Sequence, residues 1–463
     1  MAEQADVIVV GLGPGGEDAA GRLAEAGLDV VAVEAELVGG ECPYWGCVPS
    51  KMMIRAADLL AEARRVEAMA GTCEVRPDWG PVAARIRAEA TDGWDDAVAA
   101  ERLEAKGARL VRGWGRLDGP GRVVVGDVEL EASRAVVVNI GTRPWAPPVD
   151  GLSDAPYWTN RDAIEATEVP ARLAVIGGGA IGVELAQVFG RFGADVTILE
   201  GGPRLVGPEE PEASELLTTV LRRERIDVVT SARIAAVRHD ASGFAIDVEG
   251  REPLVADRLL VATGRRSDLR GLGVATIGLD EGGHFLPVDD RLRVVGAERT
   301  WAIGDVTGKG AFTHVSMYQA DIVVHDVLGR PVVPADYRAL PRVTFTDPEI
   351  GSVGLSEADA RAAGVSVRTG SAPVPASTRG WIHKAGNDGF VKLVEDADRG
   401  VLVGATSMGP WGGEVLGLLA LAVHAEVPTE RLAHMIYAYP TFHRVIEAAV
   451  KDLLGAGRTP DVR

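Results

Sequence analysis

Two cysteines that stand close together are the side chains of this chain best suited to chemistry. They lie in Gly39-Gly40-Glu41-Cys42-Pro43-Tyr44-Trp45-Gly46-Cys47-Val48-Pro49-Ser50-Lys51, which opens a stretch with apolar residues at helical spacing, Met52 to about Ala68. Four residues separate the cysteines, so a bend in a first helical turn can bring the sulfurs into bonding range. A thiolate there gains from the helix N-terminus and from Lys51, both of which lower a cysteine pKa. Two readings follow, a redox-active disulfide or a buried structural pair. A two-cysteine metal site needs further ligands that nothing nearby supplies, so no metal is expected. Cys73 is the only other cysteine and reads most simply as a spare thiol.

A dinucleotide pattern occurs twice. Val7-Ile8-Val9-Val10 runs into a turn with Gly11, Gly13 and Gly16, an Ala-rich helical stretch, and the strand Val30-Val31-Ala32-Val33 ending in Glu34. Leu173-Ala174-Val175-Ile176 runs into Gly177, Gly179 and Gly182, a helical stretch to about Phe192, and Val196-Thr197-Ile198-Leu199 ending in Glu200. Each copy is a βαβ unit with GxGxxG on its first turn. The first glycine makes the turn, the second lets backbone reach a pyrophosphate, and the third lets helix and strand pack closely. The helix N-terminus then holds the anion. Glu34 and Glu200 lie roughly 20 residues downstream, where a carboxylate can accept both ribose hydroxyls. One such motif is equally a tight turn; two, each with strand, helix and acid in register, point to dinucleotides. The modules close on similar phrases, around Gly141 in Asn139-Ile140-Gly141-Thr142-Arg143-Pro144 and Gly264 in Ala262-Thr263-Gly264-Arg265-Arg266. Trp301-Ala302-Ile303-Gly304-Asp305 sets an Asp after a short apolar strand, as a turn or a site residue, and the first module is expected to resume near residue 268.

The order of these signatures resembles, over essentially the full chain, the flavoprotein disulfide reductases of the glutathione reductase, dihydrolipoamide dehydrogenase and mercuric reductase type. The resemblance also covers Phe345-Thr346-Asp347-Pro348-Glu349-Ile350, similar to the opening of that family's dimer-interface domain. It implies an α/β architecture: an FAD-binding Rossmann-like domain at 1–150 and 268–337, an NAD(P)-binding one at 151–267, and an α+β dimerisation domain at 338–463. Cys47 is then the thiolate against the flavin and Cys42 the interchange thiol that attacks substrate. Lys51 and Glu184 pair beside the flavin, although Glu184 by itself could be an ordinary helix carboxylate. Asp305 bonds the ribityl chain, and electrons pass from NAD(P)H through FAD and the disulfide to the acceptor. Glu200 would repel a 2′-phosphate, so NADH is the preferred donor, with Arg204 nearby as the opposing signal.

The family's C-terminal phrase His-x-His-Pro-Thr-x-x-Glu reads here Tyr437-Ala438-Tyr439-Pro440-Thr441-Phe442-His443-Arg444. Both histidines are tyrosines and the orienting carboxylate is an arginine. A tyrosine of pKa near 10 is a poor base at neutral pH but can donate a proton. His443 lies four residues after Tyr439, so a helical segment would bring it within a turn as a replacement base; otherwise it is an interface histidine. Tyr44 and Trp45, bulkier than in the best-known relatives, either stack on a substrate or merely pack. The tail Arg458–Arg463 lacks the extra thiols that mercuric reductases use, which argues against mercury as acceptor.

Composition bounds the partners. The chain has 463 residues, 46% hydrophobic, with a formal net charge of −19. That sign repels nucleic-acid phosphate and anionic lipid as general partners. No apolar run reaches the ~18 to 20 residues of a membrane helix, and Met1 leads into a strand without a signal-like segment, so a cytoplasmic protein is expected. The expectation is an FAD-dependent NAD(P)H oxidoreductase, a homodimer acting on a small-molecule electron acceptor, a disulfide or related electrophile. The alternatives are a quinone or dye reductase with transfer straight from flavin, and a flavin-based redox sensor with little turnover.

Overall fold

The computed structural model describes residues 2–455; the tail Arg458–Arg463 lies outside them. The chain divides into two compact units. One comprises Met1–Ser50, Ala83–Trp145 and Gly264–Asp336; the other comprises Lys51–Val82, Ala146–Thr263 and the chain from Tyr337 onward.

The first unit is built on a seven-stranded sheet. The strand Glu3–Val10 sits centrally, paired in parallel with Val30–Glu34 on one side and Val128–Val138 on the other. Its run Val7 to Val10 is apolar at every position because both faces are covered, as parallel sheets require. The two-residue period sorts the side chains. Val7 and Val9 pack with Ala19, Ala20 and Leu23 of the helix Pro14–Glu25 and with Ala320, Val323 and Val324 of the helix Thr313–Val327. Ile8 and Val10 pack on the opposite face with Leu130, Val136 and Val306. The strand Thr300–Ala302 adds in parallel to Val128–Val138, which returns the chain beside the first fingerprint and sets Asp305 just beyond.

The second unit holds a four-stranded parallel sheet in the order Asp227–Val229, Asp195–Leu199, Arg172–Ile176, Arg258–Val261. Beside it lies a three-stranded antiparallel sheet, Ile234–Asp240, Gly243–Val248 and Leu254–Ala256, which shares its core through Phe244 and Ile246. A five-stranded antiparallel sheet follows, Pro341–Thr344, Glu349–Gly354, Val401–Gly409, Phe390–Asp396, Val367–Pro373 in spatial order. The helices Gly412–His424 and Arg444–Leu453 pack Leu416, Leu419, Ile446 and Val450 into its core.

Residues 51–82 cluster with the second unit. Side-chain pairing distant in sequence explains this. The helix Cys47–Arg65 begins at Cys47 rather than Met52, because Pro49 is tolerated in a first helical turn. Its Lys51 and Asp58 pair with Glu184 at 2.9 Å and Arg191 at 2.6 Å. Further on, the Trp79 ring packs 5.2 Å from Phe189 and 4.9 Å from Phe192, and its indole N–H donates to the Ala166 carbonyl at 2.8 Å.

Arg191, only 3% exposed, also pairs with Glu224 and Asp347, each at 2.7 Å. Burial, together with the carboxylates of Asp347 and Glu349, pushes the Asp58 carboxyl up to about 6 despite its arginine. Arg191→Leu leaves Asp58, Glu224 and Asp347 without their shared cation, and removing one member of a buried ion pair costs about 3 to 5 kcal/mol. Its urea unfolding midpoint should fall clearly below wild type at pH 7.5; an unchanged midpoint contradicts this role.

Candidate active site

The first cradle is formed by backbone that cannot accommodate side chains. Gly11 has φ +90°, and a Cβ there would meet the Asn139 carbonyl oxygen at 2.5 Å. A Cβ on Gly16 would meet the Gly11 oxygen at 2.1 Å. The helix Pro14–Glu25 starts at Gly13 without a cap from its own side chain; Pro14 has no N–H and the Asn139 amide oxygen accepts from Gly16 N–H at 3.0 Å, which leaves the Gly15 N–H for an anion. Glu34 is buried at the strand end, its carboxylate accepting from Leu12 N–H at 2.7 Å and Glu36 N–H at 2.8 Å. Burial pushes its carboxyl up while those N–H groups hold it down. The second cradle repeats the device. Gly177 has φ +110° with a Cβ position 2.3 Å from the Ala262 oxygen, and a Cβ on Gly182 would meet the Gly177 oxygen at 2.0 Å. Gly179 faces open space. Glu200 accepts from Gly178 N–H at 2.6 Å and Gly202 N–H at 2.5 Å. Both cradles fit a dinucleotide pyrophosphate, since each is a turn that a Cβ would fill, beside an uncapped helix start.

The closing phrases meet within the first unit. Arg143–Pro144 pairs antiparallel with Arg265–Arg266. Arg265 donates to the Thr142 hydroxyl at 3.0 Å and its carbonyl at 2.6 Å, and the Thr142 hydroxyl donates to Asp305 at 2.6 Å. Burial pushes the Asp305 carboxyl up, against Thr142 and the Arg265 charge. Gly141 and Gly264 adopt positive φ with open space beside them, whereas Gly304 lies against the Asn139 side chain. Sequence reasoning missed Asn139, whose amide also stands 3.2 Å from the Cβ position of Gly13; its presence in the first closing phrase was the available signal.

Cys42 lies in the four-residue helix Glu41–Tyr44, and Cys47 opens the helix Cys47–Arg65. Neither takes part in a disulfide here, and Cys42 stands next to Cys47. That neighbour first, and then burial, holds the Cys42 thiol well above its ordinary range. Thr313 was also missed: its hydroxyl lies 3.6 Å from Cys47 Sγ and acts on Cys42 as well. No sequence motif pointed to it. Cys73 is exposed and bonds only locally, 4.0 Å from the Glu74 carbonyl. Tyr44 is buried, with its ring centroid 5.9 Å from that of Trp45. Glu184 is buried and divides its carboxylate between Lys51 Nζ and the Phe345 N–H, at 2.9 and 2.7 Å.

The C-terminal phrase corrects one premise. Residues 439–443 are turns ahead of the helix Arg444–Leu453, so the helical spacing that would stack His443 one turn from Tyr439 does not arise. Pro440, which lacks an N–H and restricts its predecessor, blocks a helix there. His443 instead immediately precedes that helix, its carbonyl accepting from Ile446 N–H at 3.0 Å. Tyr439 is exposed, its hydroxyl 3.3 Å from that of Thr378 and its ring 5.0 Å from the Arg444 guanidinium carbon. Tyr437 is buried and donates to the Leu432 carbonyl at 3.1 Å, and burial pushes its phenol up to about 12. Its proton is committed to that carbonyl.

Comparison with known proteins decides the lineage. The family described as pyridine nucleotide-disulphide oxidoreductase matches residues 5–320, and its dimerisation domain matches residues 340–450. The chain belongs to this family. Dihydrolipoyl dehydrogenase of Haloferax volcanii is 33% identical over 98% of this chain and 97% of its own. Mercuric reductase of Streptomyces lividans is 32% identical over 96% of this chain and 95% of its own. Among solved structures, the HOCl-induced flavoprotein disulfide reductase RclA of Escherichia coli, in its Cu(II) complex, superposes with a TM-score of 0.85. It is 25% identical over 98% of this chain and 100% of its own. The protein is thus a pyridine nucleotide-disulphide oxidoreductase, an enzyme of a family that works with FAD and NAD(P)H, and its dimerisation domain suggests a homodimer. Among the described residues no helix is long and apolar enough to cross a membrane.

Gly16→Ala must force the Gly11 turn apart. The variant is expected to purify with less than about a tenth of the wild-type FAD content, by absorbance per mole of protein, since no flexible side chain can yield to the new Cβ. Full FAD occupancy in that variant would refute the assignment of the first cradle.

Proposed function

We propose that the protein is an FAD-dependent NAD(P)H oxidoreductase in which Cys42 and Cys47 form the redox-active disulfide and pass electrons to a small disulfide or related electrophile. The juxtaposition of Cys42 and Cys47 at the start of a long helix, with the Thr313 hydroxyl 3.6 Å from Cys47 Sγ, carries this reading. When bound, FAD would supply the redox chemistry that links NAD(P)H to the disulfide. Gly11, Gly13, Gly16, Glu34, Gly141, Gly304 and Asp305 are the residues proposed to hold it. Gly177, Gly179, Gly182, Glu200 and Gly264 are those proposed for the nicotinamide nucleotide. Cys47 is the thiolate retained after reduction, favoured by its helix N-terminus. Cys42 is the thiol that leaves to attack the acceptor. Lys51, paired with Glu184, supplies a fixed positive charge four residues along the helix of Cys47. In the homodimer, Tyr439 and His443 would complete the partner's site, and a reducing cytoplasm would suit a dithiol of this kind.

A second reading draws support from the Cys42 thiol being held protonated while the His-Glu dyad is absent. It is reduction of quinones or dyes straight from flavin. A panel of lipoamide, a quinone, Hg(II) and Cu(II), chosen partly from the names of the relatives, separates the two. Disulfide turnover should fall at least about a hundredfold in Cys42→Ser, as loss of a covalent nucleophile implies, and Tyr439→Phe should slow it further than His443→Ala does. If quinone turnover exceeds disulfide turnover and survives Cys42→Ser, the second reading replaces the first.

Nicotinamide preference rests on two side chains. Glu200 holds a carboxylate at the strand end, and the Arg204 guanidinium is committed to the Gly207 and Glu209 carbonyls at 2.5 and 3.0 Å. NADH should therefore give the higher kcat/KM, and Glu200→Ala should narrow the gap; a higher kcat/KM with NADPH in the wild type overturns the preference.

A further inference from the structure

Thr313 opens the helix Thr313–Val327, far in sequence from either cysteine. Its hydroxyl lies 3.6 Å from Cys47 Sγ and also acts on Cys42, which stands next to Cys47. Three polar groups therefore close a triangle in which one hydroxyl can reach both sulfurs. A hydroxyl is donor and acceptor at once and rotates to suit, so it can serve whichever sulfur carries charge. We propose that Thr313 is a catalytic residue of the thiol pair, its hydroxyl stabilising the thiolate at either sulfur from within the same chain. The proposal rests on the disulfide-reductase reading.

The charge balance explains the need. Opening the disulfide takes two electrons; the S–S bond breaks, each sulfur gains one negative charge, and one proton from solvent settles on Cys42. The remaining thiolate at Cys47 then accepts from the Cys42 thiol and from the Thr313 hydroxyl. When Cys42 in turn gives up its proton to attack an acceptor, the same hydroxyl can turn to it. Thr313 keeps its own proton throughout. In the resembling enzymes an imidazole tends the interchange thiol, whereas the matching positions here are Tyr437, buried and bonded to Leu432, and Tyr439. Burial and the Cys47 contact hold the Cys42 proton on, and Thr313 acts against them. Other charged or titratable groups close in the chain are Glu41, paired with Arg265 at 3.5 Å, Lys51, paired with Glu184, and exposed His314, stacked 5.2 Å from Phe312. All are unchanged in the variants below.

Two readouts test it on the FAD-loaded dithiol enzyme. One is the pH dependence of iodoacetamide alkylation at Cys42 and Cys47, resolved by mass spectrometry. The other is the pH dependence of the long-wavelength absorbance of a thiolate beside flavin. Thr313→Val keeps the shape without the hydroxyl, and should raise the thiolate titration by about one pH unit and slow alkylation about tenfold below it, as loss of a hydrogen bond to a charged group implies. Thr313→Ala should shift the titration in the same direction, and Thr313→Ser should return it to wild type. A wild-type titration in Thr313→Val, a shift with valine but not alanine, or a shift in Thr313→Ser as large as in Thr313→Val would each overturn the proposal. If alkylation shifts as expected but wild type shows no long-wavelength band, Thr313 stands and the placing of Cys47 beside flavin falls.

Discussion

A polar stripe on one buried helix is the constraint from which the second unit is assembled. Glu184, Gln187 and Arg191 occupy one face of Ala180–Arg191 at i, i+3 and i+7, and each is less than a tenth exposed. Buried charges are tolerable only when fully paired, so this face must find specific partners. Glu184 takes Lys51 and the Phe345 N–H; Gln187 exchanges hydrogen bonds with the Asp347 backbone at 2.8 and 2.9 Å; Arg191 takes Asp58, Glu224 and Asp347. Arg65 adds a second cation to Asp347 at 2.6 Å, and these two arginines hold that carboxyl below its ordinary range against the effect of burial. The helix that begins with Cys47 and the turn that opens the dimerisation domain are thereby registered against the helix Ala180–Arg191. An apolar stripe would hold the same helices with far less directional demand.

The two dinucleotide cradles use one backbone solution, because the same clash recurs. In each, the first glycine sits under the carbonyl of a returning strand and the third sits against the oxygen of the first, so that helix and strand approach closely. They differ at the middle glycine. The Asn139 side chain stands beside Gly13, while the space at Gly179 is open. Asn139 is therefore part of how the first cradle is walled, and the second has no counterpart within reach of that position.

The thiol site departs from the resembling enzymes in how protons are handled. Replacement of the first histidine by Tyr437 converts a polar position to a buried structural one, since the phenol is consumed by the Leu432 carbonyl. Tyr439 remains outward, flanked by Thr378 and Arg444, and its hydroxyl donates to that of Thr378. What compensates on the cysteine side is a hydroxyl with access to both sulfurs, which can favour the thiolate without taking up a proton.

By itself the sequence determined the family, the two nucleotide modules, the thiol pair and the loss of the histidine dyad. These are local signals. Glycine spacing, strand hydrophobicity and a terminal acid lie within about 30 residues of one another, the span of a βαβ unit, and short-range sterics make them legible. Tertiary structure alone decided the allegiance of residues 51–82, the turn that separates Tyr439 from His443, and the placing of Asn139, Thr142 and Thr313. Asn139 and Thr142 lie more than a hundred residues from Gly16 and Arg265, their partners in space, and Thr313 lies 266 residues from Cys47. Each is an ordinary polar residue in its own segment. Only the closing of the sheet on Val128–Val138 and Thr300–Ala302, a long-range pairing no local pattern encodes, brings their side chains to the chemistry.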